Sequence, residues 1–448
     1  MVHHESSGLS TSVQRRLNVI LLLGACLLTL STLGCGDSVS RKIQHVVIIF
    51  QENRTPDNLF HGLPNADIAE DGVNSKGEHV PLTPISLTAP FDLDHSHRGF
   101  LEMYDDGKMD GADRVKCGPH CPADGQFSYV NPSEVAPYFQ LAEQYTFGDR
   151  MFQTNQGPSF PAHQFIIAGT SAPSANSEYY AAENPAGPIF AGEESFLHSG
   201  CTAPRGQTVA LIGPAGRELR FETPCFDHPT LMDLLDPRNI DWRYYTTGVS
   251  WTNQLWTAPD AIQHLRFGSA WTKVIPSSIK VLTDISAGQL PAVSWVIPSG
   301  QNSDHPVVNQ GTGPSWVAAI VNAIGNSPYW SDTAIFITWD DWGGWYDHVA
   351  PPIYNSYEYG FRVPLIVVSP YAKAHYVSHE RHDFGSILRF IEDNFYLPTL
   401  GYADTRADNL SDCFDFNRPA STFQTILAPV PPIEFVGDTT PPTDPDDD

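Results

Sequence analysis

The chain has 448 residues, of which 51 are acidic and 25 are basic, so its formal net charge is −26 at pH 7. This charge argues against nucleic acid as a partner, because binding a phosphate backbone needs a basic face. Hydrophobic residues make up 41% of the chain, a share that excludes a wholly disordered protein. The 34 glycines and 38 prolines predict many shaped loops in a large globular protein.

Residues 1–35 carry the pattern of an export signal. Arg15 and Arg16 precede an apolar stretch at 17–33 that ends in small residues. Cys35 resembles the lipid-attachment cysteine of bacterial lipoproteins, and Cys26 is a competing position. The alternative is a membrane anchor, for which about 17 residues is the short limit. We therefore expect an exported protein of the periplasm, the outer membrane or the cell surface, associated with the membrane through an N-terminal lipid.

Five further cysteines follow the leader. The pairs Cys117–Cys121 and Cys201–Cys225 are close in sequence and are predicted to form disulfides, which leaves Cys413 single. The first pair, together with His120, is an alternative zinc site, but it lacks a second pair of ligands at the usual spacing.

Apolar runs rich in β-branched residues alternate with helical patterns along the chain. The predicted buried strands are Ile43–Phe50, Val293–Ile297, Ala334–Trp339 and Pro364–Ser369. The predicted helices are Ser133–Glu143, Pro161–Ala168, Ser315–Ile324 and Phe384–Phe395. This alternation predicts an α/β fold with a mostly parallel central sheet and helices on both faces. Ligands of such folds bind at the carboxyl ends of the strands.

A single folded domain is expected over residues 36–430. Within it, the stretch of about 175–290 is rich in Gly, Pro and aromatic residues and predicts a loop-rich cap or insertion. Residues 431–448 are acidic and rich in proline, which predicts a disordered tail.

Oxygen ligands directly follow two of the predicted strands. Glu52 and Asn53 come after the first strand, and Asp340 and Asp341 come after the strand that ends at Trp339. One such pair alone would be interpreted as ordinary loop residues or a helix cap. Two pairs, at strand ends that a parallel sheet can bring together, favour one site for a hard divalent cation.

Ser159 lies in a Gly-Pro-Ser-Phe-Pro segment, at the predicted N-cap of a helix that begins at Pro161. A helix N-terminus favours anions, and a bound metal lowers the pKa of a hydroxyl, so Ser159 is a candidate nucleophile. Without a metal it would be only a good N-cap. His95 and His305 lie in polar loops and are candidates for contacting phosphoryl oxygens or protonating a leaving group.

Together these segments resemble a bacterial phosphoesterase family that includes phosphocholine-type phospholipases C and acid phosphatases, within the alkaline-phosphatase-like superfamily. The matching stretches are His45–Arg54, Asp92–His97, Gly157–Pro161, Asp304–Pro306, Thr338–His348, Arg362–Pro370 and Gly385–Glu392. The resemblance implies that residues 36–430 are a phosphoesterase catalytic domain with an alkaline-phosphatase-like fold. It also implies that the substrate is a phosphate monoester or a phosphodiester such as a phospholipid.

The resemblance implies roles for individual residues as well. One divalent metal ion, of unspecified identity, would be held by Glu52, Asn53, Ser159, Asp340 and Asp341. Ser159 would attack phosphorus and form a phosphoserine, while Asn53, His95 and His305 contact the phosphoryl oxygens. One of the histidines would protonate the departing alcohol.

Two positions depart from the family pattern. Asp341 replaces a Glu found in many relatives, and Phe384 replaces a His.

Two other functions remain as alternatives. A sulfatase is the nearest alternative enzyme, but its maturation motif has Arg where this chain has His163. A surface lipoprotein that binds sugar or lipid without catalysis is the alternative from another functional class.

Overall fold

The computed structural model describes Met1, residues 42–187, 199–247 and 255–438, and Thr440. The predicted export signal with Cys35 and Cys26 therefore lies outside the described residues, as do residues 441–448. Within the described ranges, none of the helices has the length and apolar character needed to cross a membrane.

The described chain contains seventeen strands and ten α-helices. The strands β1 to β17 are His45–Gln51, Asp71–Val73, His79–Pro81, Thr83–Ile85, Ser128–Val130, Thr146–Gly148, Met151–Phe152, Tyr180–Ala181, Val209–Ile212, Glu218–Glu222, Trp242–Tyr245, Val274–Ile275, Val293–Val296, Thr333–Trp339, Leu365–Val368, Tyr376–Ser378 and His382–Asp383. The helices α1 to α10 are Pro56–Leu59, His97–Tyr104, Ala136–Gln144, Ser159–Ala168, Leu231–Leu235, Gln263–Arg266, Lys280–Ser286, Gly313–Gly325, Phe384–Phe395 and Pro432–Gly437.

The centre of the molecule is an eight-stranded sheet with the strand order β12-β11-β13-β1-β14-β15-β6-β16. Strand β15 is antiparallel to both of its neighbours, and the other neighbouring pairs are parallel. The four strands predicted from the sequence are β1, β13, β14 and β15. Since β1 and β14 are fully buried apart from His45, their continuous apolar sequences fit central strands covered on both faces.

Helices cover both faces of this sheet. Phe336 of β14 packs on Phe390 of α9 with ring centroids 5.0 Å apart, and Trp339 packs on Tyr138 of α3 at 5.1 Å. Residues three apart in a strand point to opposite faces, so α9 and α3 lie on opposite sides of the sheet. The predicted α/β architecture with a mostly parallel sheet is therefore confirmed.

The predicted cap over residues 175–290 is too long. Strands β11 and β12 fall inside that range, but they form one edge of the central sheet. Trp242 and Tyr244 of β11 are fully buried. A strand of only four residues is easily taken for part of the loop-rich sequence around it. Among the described residues of this range, the strands that lie outside the central sheet form a small sheet in the order β10-β9-β8.

The predicted tail and cysteine pairs can also be compared with the structure. Residues 431–448 were expected to be disordered throughout, but α10 begins at Pro432 and its Phe435 is 3% exposed and joins the core. One apolar side chain that reaches the core is enough to anchor a short helix. The disulfides Cys117–Cys121 and Cys201–Cys225 are present, and Cys413 is a buried free cysteine, as predicted.

Candidate active site

The carboxyl ends of β1 and β14 are neighbours, and the candidate ligands follow directly. The parallel register pairs Gln51 with Trp339, and the Asp340 N–H donates to the Gln51 carbonyl at 2.9 Å. Glu52 and Asp340 are thus the first residues beyond two paired strands. Glu52, Asn53, Asp340 and Asp341 are all fully buried. The structure therefore brings together the two pairs of oxygen ligands singled out in the sequence.

Two glycines allow the loop after β14 to approach this point closely. Gly343 and Gly344 have φ values of 62° and 74°. A Cβ at Gly343 would lie 2.4 Å from the Asn53 carbonyl oxygen, and one at Gly344 would lie 2.3 Å from the Leu93 Cβ. Only glycine fits both the left-handed backbone and these contacts. The pair therefore lets the Asp340–Asp341 loop pack against Asn53 and against the loop that carries His95.

Asn53 is held in a fixed orientation between a carboxylate and a histidine. Its backbone N–H donates to Asp340 Oδ1 at 3.0 Å, with φ at 58°, a region that Asn tolerates. His95 Nδ1 donates to the Leu93 carbonyl at 2.8 Å, so its Nε2 accepts from Asn53 Nδ2 at 3.1 Å. The other polar atom of the Asn53 side chain is the amide oxygen Oδ1, which can only accept a hydrogen bond.

Ser159 is fully buried and lies within reach of two of the carboxylates. Its hydroxyl donates toward Asp341 Oδ2 at 3.3 Å and toward Glu52 Oε2 at 3.5 Å. Ser159 is the first residue of α4, and Pro158 is the N-cap. The sequence had predicted Ser159 itself as the N-cap. The next amide, Phe160 N–H, donates to Asn184 Oδ1 at 3.0 Å. The Ser159 hydroxyl is therefore directed at the carboxylates and does not cap the helix.

His163 is a site residue that the sequence analysis missed. It lies one turn after Ser159 in α4, and its Nε2 is 3.1 Å from Glu52 Oε1 and 3.8 Å from Asp340 Oδ2. Burial lowers the pKa of His163 to about 4, against the opposing charge of Asp340, so its imidazole is neutral. The i, i+4 spacing of a Ser and a His was the available signal, since these positions share one helix face.

His305 lies beside His95, and its loop is tied to the core by Asp304. The two imidazole centroids are 6.0 Å apart, and His305 Nδ1 donates to the Pro306 carbonyl at 2.8 Å. The Asp304 carboxylate accepts from the Tyr138 hydroxyl at 2.8 Å and from Trp339 Nε1 at 3.0 Å. Burial raises the pKa of Asp304 to about 6 despite the charge of Arg54. Asp304 therefore positions the loop, and His305 faces the site.

The donor set fits a divalent cation. Asn53 Oδ1 and Asp340 Oδ2 are buried and have no hydrogen-bond partner among the described residues. Leaving such atoms unsatisfied is costly, and concentrating three buried carboxylates costs more. Glu52, His163 and Asp340 also present ligand atoms within 4.8 Å of one another. Oxygen donors with one imidazole nitrogen suit Mg²⁺, Ca²⁺, Mn²⁺ or Zn²⁺.

A cavity of about 490 Å³ opens beside these residues. It is lined by Pro158, next to Ser159, and by Asp94 and Ser96, which flank His95. Glu183 forms another part of the wall, and burial together with the charge of Glu218 raises its pKa to about 8. Because its lining residues adjoin Ser159 and His95 along the chain, this cavity is the candidate route by which a substrate would approach the site.

A second buried cluster of charges lies further along the same loops. Arg362 Nε donates to both carboxylate oxygens of Asp347 at 3.0 Å, and its Nη2 donates to Asp57 Oδ1 at 3.2 Å. His348 Nδ1 lies 2.8 Å from Asp57 Oδ2. Because an arginine already neutralises these carboxylates, the group is a structural ion-pair network.

A third group, around His382, is satisfied in a similar way. His382 contacts Asp408 through Nδ1 at 3.0 Å and the Ser378 hydroxyl through Nε2 at 3.1 Å. The Ser378 hydroxyl in turn donates to Asp412. These hydrogen bonds account for the polar atoms of His382, and we assign the group a structural role.

Comparison with known proteins gives one family. The profile of the Phosphoesterase family matches residues 43–398. Hemolytic phospholipase C of Pseudomonas aeruginosa is 24% identical over 449 residues, covering 85% of this chain and 57% of that protein. Phospholipase C A of Mycobacterium tuberculosis is 24% identical over 455 residues, covering 86% of this chain and 80% of that protein. The chain thus spans less than two thirds of the Pseudomonas relative.

Among solved structures, the chain is similar to a protein in the alkaline phosphatase superfamily from Vibrio parahaemolyticus. The TM-score is 0.37 at 11% sequence identity, and the match covers 82% of this chain and 71% of that chain.

Proposed function

The chain belongs to the phosphoesterase family, and from this premise we propose that it is a metal-dependent hydrolase of phosphate esters, of the phospholipase C type. The relatives named above are phospholipases C, and we extend that activity to this chain as the proposal. The observation that carries it is the placement of the Ser159 hydroxyl 3.3 Å and 3.5 Å from two buried carboxylates, beside a cavity.

The residues that would hold the cation are Glu52, Asn53, Ser159, Asp340 and Asp341, with His163 as an additional nitrogen donor. When bound, the cation supplies charge that stabilises a deprotonated serine oxygen and the developing charge on phosphoryl oxygens. Asn53 Oδ1 faces this position because its Nδ2 is engaged by His95. His163 orients Glu52 through the 3.1 Å contact.

In the proposed reaction, Ser159 Oγ gives its proton to the Asp341 carboxylate, toward which it donates at 3.3 Å, and forms a bond to phosphorus while the bond from phosphorus to the ester oxygen breaks. The departing alkoxide takes a proton from the protonated imidazole of His305 and leaves as an alcohol. Water then gives a proton to His305 and attacks the phosphoserine, and the serine oxygen takes its proton back from Asp341 as the phosphate product leaves. The imidazoles, 6.0 Å apart at their centroids, flank the space where the phosphoryl oxygens would lie.

We also propose that the protein is exported and acts on phospholipid. Two disulfides support export, since such bonds persist in oxidising compartments. The proposed lipid at Cys35, or at Cys26, would keep the enzyme close to membranes. Intact-mass analysis of the mature protein tests this directly, because a diacylglyceryl-modified Cys35 has a defined mass.

Two soluble esters test the activity. Pure protein is assayed with p-nitrophenyl phosphorylcholine and with p-nitrophenyl phosphate, each with Mg²⁺, Ca²⁺, Mn²⁺ or Zn²⁺. We expect hydrolysis of the diester, which stops when a chelator is added and returns when the metal is restored. Hydrolysis of the monoester alone would identify an acid phosphatase instead. If neither ester is hydrolysed with any of the four ions, the proposal is wrong.

Replacing the nucleophile gives the sharpest variant. Ser159→Ala is expected to lower kcat by more than about 10³-fold, because it removes the oxygen atom that attacks phosphorus. The matched control is Ser128→Ala, another buried serine, which is expected to stay close to wild type. Mass analysis of the wild-type peptide should show unmodified serine at 159, whereas formylglycine there would identify a sulfatase.

A further inference from the structure

The most exposed apolar side chains near the cavity lie on strand β10. Leu219 is 74% exposed and Phe221 is 65% exposed. Strand β10 is an edge strand of the small sheet, paired on one side with β9. Folded proteins usually keep large apolar side chains off such edges, because exposed edges invite association. Two of them on one five-residue strand point to a binding surface.

This strand starts at the wall of the active-site cavity. Glu218, its first residue, accepts a hydrogen bond from His97 Nδ1 at 2.5 Å. The backbone N–H of His97 donates to Glu183 Oε1 at 3.1 Å, and Glu183 lines the cavity. Leu219 and Phe221 therefore lie one and three residues after Glu218, whose side chain is connected through His97 to the cavity wall.

A second segment adds apolar surface beside the same hairpin. Ile353 is 40% exposed and Tyr354 is 61% exposed. The Ser356 hydroxyl donates to the Gly213 carbonyl, in the turn between β9 and β10, at 3.0 Å. We call Leu219, Phe221, Ile353 and Tyr354 the rim patch.

The hairpin also carries basic side chains, which are scarce in this chain of net charge −26. Arg217 and Arg220 are exposed, and Arg220 lies over the Tyr179 ring at 4.4 Å while it pairs with Glu222 at 3.7 Å. Long basic side chains beside apolar ones are suited to a phosphate layer that covers hydrocarbon.

We propose that the rim patch is the surface by which the protein adsorbs to a phospholipid bilayer, so that lipid reaches the cavity from the plane of the membrane. This inference rests on the proposed phospholipase C function. Four side chains are too few for a stable protein interface, which buries roughly 1,200–2,000 Å². Partial insertion of a few apolar and aromatic side chains is, in contrast, how peripheral proteins bind a lipid surface.

The test uses the double variant Leu219→Ser/Phe221→Ser and unlabelled phosphatidylcholine vesicles. Both the variant and its wild-type reference carry Cys26→Ser and Cys35→Ser, so that the proposed N-terminal lipid does not bind the vesicles. We expect the variant to cosediment with vesicles about tenfold less than wild type, or weaker still, and to hydrolyse vesicle lipid correspondingly more slowly. Its turnover of soluble p-nitrophenyl phosphorylcholine should remain within about twofold of wild type. The matched control is Leu427→Ser/Ile433→Ser, which removes side chains that are 77% and 69% exposed elsewhere.

The outcomes separate the two proposals. Equal vesicle binding by wild type and the Leu219/Phe221 variant overturns the rim patch, as does a wild type that does not bind vesicles at all. A concentration-dependent dimer in light scattering that the same variant abolishes would assign the patch to a second copy of the chain. Vesicle binding that depends on the patch, without hydrolysis of any ester, would leave the patch standing and reject the phospholipase function.

Discussion

Two buried clusters of carboxylates lie on the same pair of loops, and they are neutralised in different ways. The cation cluster, Glu52, Asp340 and Asp341, directly follows β1 and β14. The arginine cluster, Asp57 and Asp347 with Arg362, lies a few residues further along the same segments. In the first, Asp340 Oδ2 and Asn53 Oδ1 have no hydrogen-bond partner within the part of the chain that the structure describes. In the second, Asp57 and Asp347 both contact a guanidinium.

The two clusters differ in role: the arginine cluster stabilises the loops, and the cation cluster is the candidate site of the reaction. Arginine is a permanent cation, so the arginine cluster fixes the two loops whether or not a metal is present. In the proposed function, the cation cluster takes an ion from solution, which would leave coordination positions for a substrate oxygen. The arginine cluster holds the two loops in place, and the buried oxygens at their start would hold the proposed ion.

The largest expected effect comes from removing the permanent cation. Arg362→Leu should lower the free energy of unfolding by about 3–5 kcal/mol, because it strands two buried carboxylates and two carbonyls. Urea unfolding measures the change. Arg150→Leu is the control, since the Arg150–Asp67 pair is 39% and 34% exposed and should contribute less than about 1 kcal/mol. Similar stability in the two variants would show that Arg362 does not compensate the cluster.

Neutralising one aspartate in each cluster should have effects of opposite sign. In chelator, Asp340→Asn should raise the free energy of unfolding by about 1–3 kcal/mol, because it removes a buried charge that no arginine or lysine neutralises among its described contacts. Asp347→Asn should lower it, since it breaks the contact with Arg362. Added metal should then stabilise the wild type and Asp347→Asn but leave Asp340→Asn unchanged. Thermal unfolding in chelator and in excess metal gives all five comparisons, and a destabilised Asp340→Asn in chelator would contradict the assignment.

A pH-dependent effect of similar size concerns His348. Burial lowers the pKa of His348, but the hydrogen bond and charge of Asp57 outweigh it and raise the pKa to about 9. The charged imidazole therefore stabilises the fold below its unfolded pKa of about 6.5, and this contribution is lost as pH rises through 9. The stability difference between wild type and His348→Gln should fall from on the order of 2 kcal/mol near pH 6 toward zero near pH 10.

The same difference should persist in about 1 M NaCl, because partly buried pairs are screened weakly. A difference that is flat with pH would show that His348 does not titrate between 6.5 and 9 in the arginine cluster.

The central strands and the ligand pairs could be predicted because each depends on a short, continuous stretch of sequence. Continuous apolar runs marked β1 and β14, and Glu52-Asn53 and Asp340-Asp341 follow them without a gap. Parallel pairing then brings the strand ends together, which the register of Gln51 with Trp339 bears out. The proposed role of Ser159 is tested by the Ser159→Ala assay above, and the roles of His95 and His305 remain predictions.

What could not be predicted depends on long-range packing. Arg362 reaches Asp57 across 305 residues, and no local pattern marks that pair. His163 was overlooked because a helix that is buried all round lacks a polar face on which a histidine would stand out. Strand β11 is four residues long and aromatic, so its place in the central sheet follows from the burial of Trp242 rather than from periodicity.

The pairing of β1 with β14 has a consequence for when the chain can fold during its synthesis. The hydrogen bond from Asn53 to Asp340 spans 287 residues, so roughly three quarters of the protein must be synthesised before its two sides can meet. Non-local strand pairing is also a slow step of folding. A nascent or unfolded chain therefore has not yet brought Glu52 and Asn53 together with Asp340 and Asp341. The proposed hydrolase activity requires the closed sheet and begins only after the chain has folded.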